Sequence, residues 1–75
     1  MADQSIDARG LNCPLPILKA RKALQPLPAG GTLEVLATDP GSVKDFEAFC
    51  RMTGNELAES GRDGPAFRFV IRKAG

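Results

Sequence analysis

A chain of 75 residues makes one domain and buries only about 60% of the surface its unfolded form exposes, so its stability margin is thin. Hydrophobic residues at 43%, with charges of both signs spread along the chain, exclude a disordered or fibrous class. Ten basic against nine acidic side chains leave a formal charge of +1, which excludes direct nucleic-acid binding by bulk electrostatics.

Met1-Ala2-Asp3-Gln4 has neither the basic nor the apolar part of a signal peptide, and no stretch reaches the roughly 20 apolar residues of a membrane span. The expectation is a cytoplasmic protein with no membrane partner and with Cys13 and Cys50 as free thiols. Ser5 to Ala8 reads as a short strand with Ile6 and Ala8 inward, ended by Arg9-Gly10, where Gly10 suits a positive φ in the turn. From Pro14 to about Gln25 helix formers follow, with Ile17, Ala20 and Leu24 at helical spacing and Ala23 beside them, until Pro26, Pro28, Gly30 and Gly31 stop the helix.

Thr32 to Thr38 alternates, with Leu33, Val35 and Ala37 on one face, as a half-buried strand requires. Asp39-Pro40-Gly41-Ser42 is a turn, with Ser42 the expected N-cap of a second helix whose apolar arc is Val43, Phe46, Phe49, Cys50 and Thr53, ended by Gly54. Asn55 to Ser60 is a third strand, Gly61 to Pro65 a hairpin turn, and Phe67, Phe69 and Ile71 alternate with Arg68, Val70 and Arg72 in the last strand. The order is βαβαββ. Two helices cannot bury their stripes on each other and also cover a sheet, so the fold class is α/β in the sense of an α+β two-layer sandwich, both helices on one face and a partly polar outer face.

The run Leu11-Asn12-Cys13-Pro14-Leu15-Pro16 places a C-P-x-P signature where the first strand turns into the first helix. A cysteine there feels the positive end of the helix dipole, which favours the nucleophilic thiolate, and proline fits a first helical turn whose N–H groups have no partner. The cations of Arg9, Lys19, Arg21 and Lys22 act in the same direction, those on the helix weakly because of distance and solvent screening. Pro14 and Pro16 each remove an N–H, which leaves those of Leu15 and Ile17 to hold a sulfur anion and limits how far the thiol's pKa falls.

With no histidine and no tyrosine the chain assembles neither a Cys-His dyad nor a Ser-His-Asp triad, and two cysteines without histidine fall short of a four-ligand metal site. No phosphate-cradling or dinucleotide motif is present, so no cofactor has a seat. What remains is chemistry a thiolate does without a general base, such as accepting sulfur from a persulfide and passing it on. Cys50 falls on the apolar arc of the second helix and is expected to pack as a small hydrophobe. Leu15 and Leu18 lie off the core stripe on a face shared with Lys19, Arg21 and Lys22; they either cover neighbouring loops or form a docking surface around the thiol, which Met52 would extend.

Asp7-Ala8-Arg9-Gly10-Leu11-Asn12-Cys13-Pro14-Leu15-Pro16 resembles the opening motif of the TusA/SirA-like sulfur carriers, and the similarity continues through Asp39-Pro40, Phe49-Cys50 and Phe69-Val70-Ile71-Arg72-Lys73. The resemblance implies a mixed four-stranded sheet and a persulfide on Cys13; on the reading of the residues themselves, Arg9, Gly10, Pro14, Leu15, Pro16, Leu18, Lys19 and Lys22 are the candidates to support it or to dock partners. It also implies a cysteine desulfurase as sulfur donor and a sulfur-relay protein as acceptor for transfer RNA thiolation. In relatives serving molybdenum-cofactor synthesis or sulfur oxidation the donor is a rhodanese. A monomer satisfies all of this. Two other readings stand beside it: a regulatory interaction domain using the Leu15/Leu18 face, and a thiol–disulfide oxidoreductase with Cys50 as resolving partner.

Overall fold

The computed structural model describes residues 2–74. Six elements follow one another: β1 (Gln4–Ala8), α1 (Leu15–Leu24), β2 (Thr32–Ala37), α2 (Ser42–Thr53), β3 (Glu56–Asp63) and β4 (Ala66–Arg72). The strands form one mixed sheet in the order β1-β2-β4-β3. β1 runs parallel to β2 with Ile6 opposite Val35 and Ala8 opposite Ala37, and the other two pairs are antiparallel. A parallel pair needs a crossover, which α1 supplies.

Strict alternation in β2 turns Leu33, Val35 and Ala37 inward, where they meet Phe69 and Ile71 of β4. α1 lies over β1 and β2, and α2 over β3 and β4, so that both helices share one face of the sheet. Ala20 and Leu24 of α1 and Phe46 and Cys50 of α2 complete a single core. Phe46 sits at its centre, its ring centroid 4.8 Å from that of Phe69 and edge-on to Phe49 at 6.4 Å. The C-terminal end of α1 is closed by Lys73, whose Nζ donates to the carbonyls of Gln25 and Leu27 at 2.9 and 2.7 Å. That places a cation where the helix dipole is negative. α2 stops at Gly54, whose φ of +78° is the left-handed geometry a glycine adopts without a Cβ penalty.

Three expectations are corrected. Ser42 is the first helical residue rather than the N-cap, because the turn closed by Ser42 N–H donating to Asp39 O at 2.9 Å puts Gly41 at the helix boundary. Its hydroxyl is buried without a partner. β3 does not end at Ser60 but continues to Asp63, and the turn shrinks to Gly64-Pro65. Backbone pairing with β4 carries the strand through Gly61 and Arg62, residues without strand character of their own, after a bulge between Leu57 and Glu59. Val70, expected on a wet face, is only 6% exposed, with Thr32, Ala58, Arg68 and Arg72 around it.

The outer face is held by cross-strand ion pairs. Arg68 reaches Glu34 on one side at 2.7 Å and Glu59 on the other at 2.8 Å, and Arg72 meets Glu56, directly opposite it, at 2.6 Å. The hydrogen bond from Arg68 holds the Glu34 carboxyl below the usual carboxylate range. A carboxylate with a depressed folded pKa adds stability that is complete above its unfolded pKa of about 4.3 and is lost as pH falls through the lower folded value. The urea midpoint is therefore expected to fall on acidification from pH 5 to pH 3, and to fall less in Glu34→Gln. Equal losses in parent and variant would remove Glu34 from the acid response.

Candidate functional site

β1 and β2 are parallel neighbours, so the loops that follow them leave the same end of the sheet and meet there. The first loop opens with a turn in which Leu11 N–H donates to Ala8 O at 3.3 Å, with Gly10 at a φ of +81°. Gly10 N–H donates to Thr38 Oγ1 of the second loop at 2.9 Å. Three residues on, Cys13 N–H donates to Asp39 Oδ2 at 3.0 Å, while Oδ1 of the same carboxylate accepts from Gly41 N–H at 3.3 Å. Asp39 thus pins the cysteine loop to the start of α2.

Cys13 is exposed and Cys50 is buried. The Cys13–Pro14 peptide bond is cis, and Pro14 forms the boundary of α1 with Pro16 in its first turn. Leu15 N–H donates to Asn12 O at 2.8 Å, so the donor expected to hold a sulfur anion is already occupied by backbone. Cys13 opens a cavity of about 520 Å³ between the two helices, walled largely by apolar groups of Ile17, Leu18, Phe49 and Met52, with Asp45 and Arg21 among the polar ones. Met52, 84% exposed, is thereby part of the surface around the thiol.

The electrostatics differ from the expectation. Arg9 is locked onto Asp7, Nε to Oδ1 and Nη2 to Oδ2 each at 2.9 Å, and Lys19 Nζ donates to Asp7 O at 2.8 Å. Arg9 is thus paired with a carboxylate, while Lys19 keeps its charge but is turned toward the β1 backbone. Instead the Asp45 carboxylate, as acceptor for the S–H and then as a charge, pushes the Cys13 thiol above its ordinary pKa, with desolvation and Asp39 adding to it. Burial alone pushes the Cys50 thiol up.

A family model described as Sulfurtransferase TusA matches residues 4–73. The chain belongs to the TusA sulfurtransferase family. Across 96% of its length it is 60% identical to the sulfur carrier protein TusA of Allochromatium vinosum, covering 95% of that protein. It is 42% identical to the sulfur carrier protein TusA of Pseudomonas putida over 95% of this chain and 89% of the relative. The crystal structure of a SirA-like protein from Desulfitobacterium hafniense superposes with a TM-score of 0.82 at 30% identity, covering 96% of this chain and 99% of that one. The mixed four-stranded sheet with two helices is the fold of that neighbour.

Within this TusA family frame the residues named from sequence divide by position. Pro14 and Leu18 line the cavity beside the thiol, and Leu15 lines the neighbouring groove, Leu15 and Leu18 at 49% and 46% exposure. Lys22 is exposed on the same helix, beside a shallow apolar groove shared with Leu11, Leu15, Leu18 and Lys19. Pro16 is buried, so it braces the helix start against the core instead of facing a partner. Gly10 works through its backbone. The two residues that sequence reasoning did not single out are Asp39 as the anchor and Asp45 as the charge beside sulfur. No local pattern marks them, since they reach Cys13 from 26 and 32 positions away.

Proposed function

We propose that Cys13 is the residue that bears sulfur, as a persulfide, between a donor protein and an acceptor protein, making this chain a sulfurtransferase that works only with partners. One observation carries the reading: in a chain of the TusA family, Cys13 is the exposed thiol and Cys50 is enclosed in the core. In loading, the Cys13 thiol gives its proton to solvent and the thiolate attacks the terminal sulfur of the donor persulfide. The new S–S bond forms as the donor's own S–S bond breaks, and the electron pair leaves on the donor cysteine, which takes up a proton. No oxidant or reductant enters.

The donor is a cysteine desulfurase or a rhodanese and the acceptor a sulfur-relay protein, in the cytoplasm, with transfer RNA 2-thiouridine as the end product. Pro14, Leu15 and Leu18 supply the apolar centre of the docking surface, and Lys22 its basic rim. No helix among the described residues is long and apolar enough to cross a membrane. Incubation with a cysteine desulfurase and cysteine should add about 32 Da to the peptide that contains Cys13. An unchanged mass with both desulfurase and rhodanese donors would overturn the reading. Loss of 2-thiouridine from bulk transfer RNA on deletion of the gene supports that end product. Undiminished 2-thiouridine instead assigns the carrier to sulfur oxidation or molybdenum-cofactor synthesis.

A further inference from the structure

We propose that Asp45 is the positioning residue that keeps unloaded Cys13 in its thiol form, and that a sulfur donor releases the thiolate by bringing a lysine or arginine against that carboxylate. The inference rests on Cys13 as the sulfur-bearing residue and adds the way its reactivity is held back and switched on.

The geometry is specific. Asp45 is on the first turn of α2, half-buried, and lines with Cys13 the mouth of the cavity between the helices. Its backbone is fixed by Asp45 N–H donating to Gly41 O at 3.0 Å. A Cβ placed on Gly41 would lie 3.8 Å from Oδ2 of both Asp39 and Asp45, so the two carboxylates flank the start of α2, to which Asp39 also ties Cys13 N–H. They are not equivalent. Asp39 is engaged with two backbone N–H groups, whereas Asp45 makes no ion pair among the described residues.

Of the cations nearest Cys13 in sequence, one is neutralised and one is turned away. In the loop before α1, Arg9 is held by Asp7, and on α1 Lys19 is held by Asp7 O. Arg21 lines the same cavity and makes no ion pair among the described residues, but it is not among the groups that shift the Cys13 thiol. From the β2–α2 side the carboxylates of Asp45 and Asp39, both negative, push the Cys13 thiol up. The free protein therefore disfavours the thiolate, although loading requires it. An opposite charge placed on Asp45 removes the largest cause, and a docking donor can place one there. Such a carrier is guarded against stray electrophiles and opened by the partner that has sulfur to give.

The test is the pH profile of Cys13 alkylation by iodoacetamide in the full chain, read by mass on the Cys13 peptide. Asp45→Asn should move the midpoint to lower pH, and Asp45→Glu should restore the parent profile. Ala48→Lys, which puts a cation one helical turn from Asp45 on the same cavity wall, should lower the midpoint with Asp45 in place. A drop of one unit makes about tenfold more thiolate at pH 7. The weaker nucleophilicity of a less basic thiolate trims this to about three- to fourfold in rate. Loading by glutathione persulfide at pH 7 should quicken by that factor in Asp45→Asn, while loading by a cysteine desulfurase should not. An unchanged midpoint in both Asp45→Asn and Ala48→Lys would overturn the proposal, as would equal acceleration by the two donors. A parent chain that never loads would instead overturn the persulfide reading, while alkylation still judges Asp45.

Discussion

Cys13→Ser should leave incubation with a desulfurase and cysteine at its starting mass, while Cys50→Ala gains sulfur as the parent does. The serine hydroxyl is near in size but far too weak an acid to supply an anion, so the chemistry is lost without the architecture. The loop stays in place because its contacts run through backbone: Cys13 N–H to Asp39, and Leu15 N–H to Asn12 O. Cys50 is 4% exposed in the core beneath α2, and burial pushes its thiol up, so it has neither access nor charge to compete. Its loss to alanine removes one buried sulfur and is expected to cost on the order of 1 kcal/mol, visible in the urea midpoint but not in loading. The reverse pattern, with sulfur retained in Cys13→Ser and lost in Cys50→Ala, would move the site into the core.

Phe46→Ala is expected to remove a large share of the folding stability. The ring is fully buried and touches both layers, stacking at 31° on Phe69 of the sheet and meeting Phe49 edge-on within α2. Truncating a buried phenylalanine costs about 3–5 kcal/mol. At the usual 0.05–0.15 kcal/mol per residue, a chain of 75 residues holds roughly 4–11 kcal/mol in all. The loss is a large fraction of that total because no second core shares the load. Urea unfolding followed by far-UV circular dichroism reads it directly. A midpoint within a tenth of the parent's would show that the core closes over the gap.

Much of this architecture was legible because it rests on periodicity. Leu33, Val35 and Ala37 alternate, Phe67, Phe69 and Ile71 alternate, and Val43, Phe46, Phe49 and Cys50 recur at helical spacing; each set faces inward as its period requires, except that Thr53, expected to close the helical arc, is exposed, its hydroxyl donating to Phe49 O. Cys13 was legible for a different reason, since prolines on its C-terminal side announce a helix start at the surface. What escaped were features built between distant positions. The far half of β3 is strand because β4 pairs with it, and nothing in Gly61-Arg62-Asp63 foretells that. Glu56 and Glu59, which weaken a strand assignment when taken alone, become acceptors for Arg72 and Arg68 once the strands lie side by side.

The charge around the thiol was misjudged for the same reason. Arg9, close to Cys13 in sequence, is absorbed by Asp7, while Asp45 arrives from another helix to reverse the local field. Sequence neighbours predicted an activated thiol, and spatial neighbours make a guarded one.

The direction of β1 and β4 has a practical consequence. Gln4 pairs with Leu33 and Arg72 with Thr32, at the end of the sheet away from Ala8 and Ala37, whose loops carry Cys13 and Asp39. A tether before Gln4 or after Arg72 therefore attaches behind the molecule. Immobilised or fused through either end, the domain would behave as a cartridge with its sulfur port facing outward, open to one partner after another.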